Sequence, residues 1–68
     1  MEITVKKELS IKGVKIQVDA DLYYENGSMD FEECTYTIDG QDVYTILSEE
    51  ALNIADDLIL IYANQKVR

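Results

Sequence analysis

The sequence contains no histidine and no proline, and its only cysteine is Cys34. With one cysteine there is no intramolecular disulfide, and without histidine there is no thiolate–imidazole zinc site. General base work near neutral pH falls first to histidine, and neither a Ser/His nor a Cys/His nucleophile pair can be assembled. A non-enzymatic protein without cofactor or metal is therefore expected. Long apolar runs are missing as well. The longest, Leu58 to Ala63, is far short of the roughly 20 residues that cross a bilayer. The first residues, Met1 to Lys7, alternate instead of forming the apolar core of a secretion signal. No membrane contact and a cytoplasmic location are expected.

Positive charge is the other scarcity. Lys6, Lys7, Lys12 and Lys15 precede residue 16 and Lys66 and Arg68 follow residue 65, with no Lys or Arg between. Fourteen Asp and Glu against six Lys and Arg give a net charge of −8, and twelve of the acids fall in that cation-free stretch. This is the wrong sign for a phosphate backbone, which argues against direct nucleic-acid binding. A hydrophobic content of 47% is too high for a disordered acidic tail, so the chain should fold. A domain of 68 residues buries only about 60% of the surface its unfolded chain exposes. Disulfides and metals being excluded, oligomerisation is the remaining reinforcement, and a homodimer is expected.

What is present is alternation. Ile3, Val5, Leu9 and Ile11 share one parity and read as a first strand. Val14, Ile16, Val18, Ala20, Leu22 and Tyr24 alternate with Lys15, Gln17, Asp19, Asp21 and Tyr23, a long strand with one wet face. Ser10 to Gly13 suits a type I turn closed by Gly13, which sets Leu9 opposite Val14 and Val5 opposite Val18. Asn26-Gly27 is a strong type I′ hairpin signal and pairs the second strand with a third. That hairpin puts Tyr24 opposite Met29 and Leu22 opposite Phe31. Continued unchanged, it would aim Glu33 at the core. One extra residue near Glu32-Glu33 restores the pattern, so a β-bulge is predicted there, with Cys34 by Ala20, Tyr36 by Val18 and Ile38 by Ile16.

Asp39 to Asp42 reads as a turn and Val43 to Leu47 as a connector. Ser48 is a candidate helix cap, Glu49 and Glu50 complement the first turn, and Leu47 and Leu52 occupy the staple positions. A helix is predicted from about Glu49 to Asn64, with Lys66 and Arg68 favourable beyond its last turn. Ala51, Ala55, Leu58 and Tyr62 lie on one line of it, flanked by Ile54, Ile61, Leu52 and Ile59. That apolar arc spans about 200°, wider than one sheet needs, and Leu60 falls on the polar side. The fold class is α+β: a three-stranded antiparallel meander with one C-terminal helix, in a single domain over residues 1–68.

Two surfaces are candidates for function. The outward face and tip of the second hairpin gather Asp19, Asp21, Glu25, Asp30, Glu32 and Glu33, extended by Asp39 and Asp42. Like charges opposite one another on a sheet cost stability. The arrangement therefore reads either as a surface that docks on a basic partner, steered by charge, or as charge that keeps a small domain soluble. Tyr23, on the wet face beside these acids, is the candidate anchor, or else a packing residue at the hairpin edge. The second surface is the excess apolar face of the helix, Leu52, Ile59, Leu60 and Ile61, read as a self-association surface.

Asp19, Asp21, Glu32 and Glu33 lack the wrapping loop that calcium sites use. Asn26-Gly27-Ser28 matches a glycosylation sequon that the turn already explains. Cys34 is expected in the core, where a free thiol packs as a small hydrophobe.

The strand pair Val18 to Gly27, followed by Tyr36 to Val43 and by Leu47-Ser48-Glu49-Glu50-Ala51 at a helix start, resembles the small acidic proteins of bacteriophages and prophages, among them anti-CRISPR and other anti-defence inhibitors. The resemblance implies an inhibitor that occludes the nucleic-acid-binding surface of a basic host protein or nucleoprotein complex. The alternative is a small homodimeric assembly protein acting through its helix face.

Overall fold

Strict alternation over ten or more residues makes long strands, and tight turns join them into consecutive hairpins. The structure, a computed structural model that describes residues 1–67, contains β1 (Glu2–Ile11), β2 (Val14–Glu25), β3 (Ser28–Ile38), β4 (Gln41–Asp42) and α1 (Glu49–Lys66). The strands form one antiparallel sheet in the order β1-β2-β3-β4, with α1 packed on one face. The expected meander and helix are present, with the two-residue β4 added beyond it. The molecule is about 34 Å long and 18 Å across, its length being that of the long strands at roughly 3.3 Å per residue. Arg68, expected beyond the helix end, lies outside the described residues.

All three hairpin turns place two successive residues at positive φ: Lys12 and Gly13 at 52° and 82°, Asn26 and Gly27 at 52° and 79°, Asp39 and Gly40 at 51° and 79°. Each is the two-residue type I′ geometry, whose twist matches that of the strands it joins. This corrects the first turn. Leu9 pairs with Ile16 and Val5 with Ala20, and Ile11 pairs with Val14 instead of sitting in the loop. The two registers differ by two residues, so both keep the same parity and alternation cannot separate them. Burial of Ile11 separates them. Lys12 accepts a left-handed conformation that costs roughly 1–2 kcal/mol, in return for one more buried aliphatic side chain.

The β-bulge is present. Leu22 faces Phe31 and Asp21 faces Glu33, which leaves Glu32 as the extra residue of β3. Beyond it Ala20 faces Cys34 and Val18 faces Tyr36, so the apolar set returns to the helix side. The core comprises Ile3, Val5, Leu9 and Ile11 of β1, Ile16, Val18, Ala20 and Leu22 of β2, and Tyr36 and Val43. Ala51, Ala55, Ile59 and Ala63 complete it from the helix. No polar or charged residue is buried among the described residues. Burying a large aliphatic side chain contributes about 1.5–3 kcal/mol, and Ile16, Leu22, Ile59, Val5 and Val18 are the largest that are fully enclosed.

Ser48 caps α1, its Oγ accepting from the Ala51 N–H at 3.1 Å. The helix continues one half-turn past the expected end, to Lys66. Its buried line, Ala51, Ala55, Ile59 and Ala63, repeats every fourth residue. It is therefore turned away from the expected centre through Leu58 and Tyr62. Three of the four seam residues are alanines, which let the helix axis come close to the sheet while larger side chains spread to the rims. Ile59 lies on that seam and belongs to the core.

Helix orientation makes a direct prediction. Ile59→Ala should lower the unfolding free energy by about 2–5 kcal/mol, whereas Ile61→Ala should cost less than about 1 kcal/mol. Urea denaturation of both variants measures the difference. Equal losses would contradict this placement of the helix.

Candidate functional site

With α1 on one face, the other face of the sheet stays open to solvent along its length. On β2 it presents Gln17, Asp19, Asp21 and Tyr23. The paired β1 residues are Glu8, Lys6, Thr4 and Glu2, and the paired β3 residues are Thr37, Thr35, Glu33 and Asp30. Short polar bonds order its centre. Gln17 Nε2 donates to Asp19 Oδ1 at 2.9 Å, and Thr4 Oγ1 donates to Asp21 Oδ1 at 3.0 Å.

Two of the predicted docking acids are thus partly committed within the sheet. Asp19 is half-buried, faces Lys6 across the strands and accepts from Gln17; Asp21 accepts from Thr4 and faces Glu33. Asp30, Glu32 and Glu33 are exposed along β3, and Glu25 is exposed at the hairpin tip. Tyr23 is exposed and stands opposite Asp30. Asp42 is engaged locally, its Oδ1 accepting from the Tyr44 N–H at 2.9 Å.

Cations gather at the other side. Lys6 is on the outward face of β1. Lys7 has the parity of the core face and lies 4.8 Å from the centre of the Tyr62 ring. Lys12 pairs with Glu50 at 2.8 Å, and Lys66 Nζ donates to the Thr4 carbonyl at 2.6 Å. Charge is uneven across the sheet: β1 balances Lys6 and Lys7 against Glu2 and Glu8, whereas β3 carries Asp30, Glu32 and Glu33 with no lysine or arginine.

Between helix and β3 the cover is incomplete. Met29, Cys34 and Ile38 are half-buried and Phe31 is 37% exposed, although all four point to the helix side. Among the described residues the polar tie there is the Tyr36 hydroxyl, which donates to Asp56 of α1. Asp56, half-buried on the helix, reaches over β3 to do so. Tyr44 stacks at a tilt on Tyr36, with ring centres 5.8 Å apart. Burial first, and then donation to Asp56, push the Tyr36 phenol far above its usual range. Burial also pushes the Cys34 thiol up, outweighing the neighbouring Tyr36 hydroxyl, which acts the other way, while the charges of Asp56 and Asp19 add to the rise. A thiol held neutral is a poor nucleophile.

The four residues of the expected self-association surface are not equivalent. Ile59 is fully buried against the sheet and is withdrawn from it; Leu52 and Leu60 are half-buried, and Ile61 is 54% exposed. Ile61 borders a shallow groove with Tyr24, Asn64, Gln65 and Val67. Ile46 and Tyr44, in the connector before the helix, are further exposed apolar residues; their sequence context carried no periodic signal. Among the described residues no group of three acidic or thiol side chains converges as around a metal ion. No helix is long and apolar enough to cross a membrane. Compared with known proteins, the chain matches no family model, no curated protein and no solved structure.

The Tyr36–Asp56 bond predicts an alkaline limit. A phenol whose folded-state pKa is raised contributes stability that is fully present below its unfolded value, about 10. That stability is lost as pH rises from there towards the folded value. Unfolding monitored against pH should show stability falling above about pH 10, and Tyr36→Phe should flatten that fall. The same variant should lose about 1–3 kcal/mol near neutral pH, because the half-buried Asp56 carboxylate is left without its donor. An unaltered alkaline profile would remove Tyr36 from this role.

Proposed function

We propose that this protein is an acidic, non-enzymatic docking module that binds a basic surface of another protein. The class of partner that fits is a host protein or nucleoprotein complex whose cationic groove handles nucleic acid. Binding would block that groove by charge and by bulk. The observation that carries the reading is the uncompensated charge of β3, where Asp30, Glu32 and Glu33 stand with no lysine or arginine in the strand and Glu33 faces Asp21 across the hairpin. Such a field speeds encounter with a basic partner and orients the approach. The layout-level resemblance to small acidic phage inhibitors points the same way, and occlusion requires none of the catalytic groups that the sequence lacks.

In this reading Asp30, Glu32 and Glu33 meet lysine and arginine on the partner, Asp21 and Glu25 extend the field, and Tyr23 anchors the contact. Asp19 contributes less, because it is half-buried and already accepts from Gln17. A second reading rests on Ile61, exposed on the helix: a homodimer or assembly protein that joins copies through Ile61, Leu60 and Leu52.

The variant Asp21→Asn, Asp30→Asn, Glu33→Gln separates the two. Docking through the acids predicts that association with a captured nucleic-acid-binding complex slows by about tenfold at low salt and loses most of its salt dependence. DNA or RNA should compete with the unmodified protein for that complex, and the circular dichroism of the variant should be unchanged. Unaltered association kinetics would remove the acidic face from the mechanism. Loss of function in Ile61→Glu, with the triple variant active, would transfer the role to the helix face.

A further inference from the structure

β3 is long and β4 is short. Only Thr37 and Ile38 pair with β4, and the Tyr36 carbonyl accepts from Val43 at 2.9 Å; residues 28–35 have no strand on that side among the described residues. The two-residue turn at Asn26-Gly27 makes Glu25 and Ser28 a hydrogen-bonded pair, and alternation from that pair directs the backbone of Asp30 inward to β2. The N–H and C=O groups of Met29 and Phe31 therefore face outward, and beyond the bulge those of Cys34 do so. Such an edge is a template for another strand.

We propose that this open edge of β3 is where a partner docks, adding a short, extended, basic segment to the sheet as a further strand. The inference rests on the reading of the acidic surface as a docking surface and names the part of it that binds. Side chains of an added strand would alternate between two environments. On the helix side they meet Met29, Phe31 and Cys34, half-exposed and apolar; on the other they meet Asp30 and Glu33. The matching sequence alternates aliphatic residues with lysine or arginine.

The chemistry disfavours two other arrangements. A second copy pairing edge to edge would set Asp30, Glu32 and Glu33 against the same acids, and like charges opposite one another are destabilising. Among the described residues the edge of β1 is also free, but Lys66 occupies the Thr4 carbonyl there and the outward residues mix Lys6 with Glu2 and Glu8, so that edge lacks the uniform negative charge that a basic strand needs. The bulge at Glu32 kinks the β3 edge, which suits one short strand and opposes indefinite stacking.

The test is amide hydrogen exchange by NMR on labelled protein, with an amide-capped hexapeptide of alternating lysine and valine as the probe and alternating lysine and glycine as the equal-charge control. Saturable binding of the lysine–valine peptide should slow exchange at Met29, Phe31 and Cys34 by about tenfold or more, with little protection from the control. Met29→Pro should abolish that protection, since proline is tolerated where an edge N–H faces solvent. Phe31→Lys should do so by charge and loss of apolar contact if the proline variant does not fold. Shifts confined to the acidic residues, equal for both peptides and without amide protection, would overturn the edge site and leave acidic docking standing. No shift with either peptide at millimolar concentration would overturn both.

Discussion

The seating of the helix along β1, through Ala51, Ala55, Ile59 and Ala63, is the contact on which the rest of the molecule depends. A single helix cannot cover the whole face of a sheet whose longest strand has twelve residues. Small seam residues bring it close to the sheet, so β1 and β2 supply most of the buried aliphatic side chains. The cover then runs out over β3, where Phe31, Met29 and Cys34 are left partly open and only Tyr36, tied to Asp56, is buried. One packing choice thus produces both a stable half and an unfinished half.

Charge follows the same division. Three lysines are engaged on the helix side: Lys7 of β1 on Tyr62, Lys12 of the first turn on Glu50 and Lys66 of α1 on a β1 carbonyl. Each such contact is worth little alone at the surface. Their collective effect is to hold positive charge where the fold is complete. The carboxylates of β3 have no cation in their own strand, and Asp21 faces Glu33 directly across the hairpin. That repulsion is a cost which a basic partner would relieve, so the site of unfinished packing and the site of unbalanced charge coincide.

Much of this was legible in the sequence because strand parity is unforgiving. The bulge at Glu32 follows from the need to return Cys34 and Tyr36 to the apolar face, and the pairing of Leu22 with Phe31 follows from Asn26-Gly27. The first turn was not legible in the same way. Lys12-Gly13 lacks the asparagine or aspartate that marks a type I′ turn, and a two-residue register difference preserves parity. The helix face was misplaced for another reason: hydropathy weighs Leu58 and Tyr62 above the alanines, whereas close packing on a sheet favours the smallest side chains at the centre. That moved Ile59 from a supposed interface into the core. The acids of the candidate site were all visible in the sequence, but the open edge beside them depends on β4 ending after two residues, which no local signal marks.

Hydrogen exchange of the free protein, resolved along β3 by NMR, tests most directly the claim that the fold leaves this strand uncovered. The account predicts a sharp alternation: rapid exchange at Met29, Phe31 and Cys34, whose amides face the open edge, and slow exchange at Asp30, Glu33 and Thr35, whose amides face β2. Uniform protection along β3 in the free protein would contradict it, because some other part of the molecule or a second copy would then already occupy the edge.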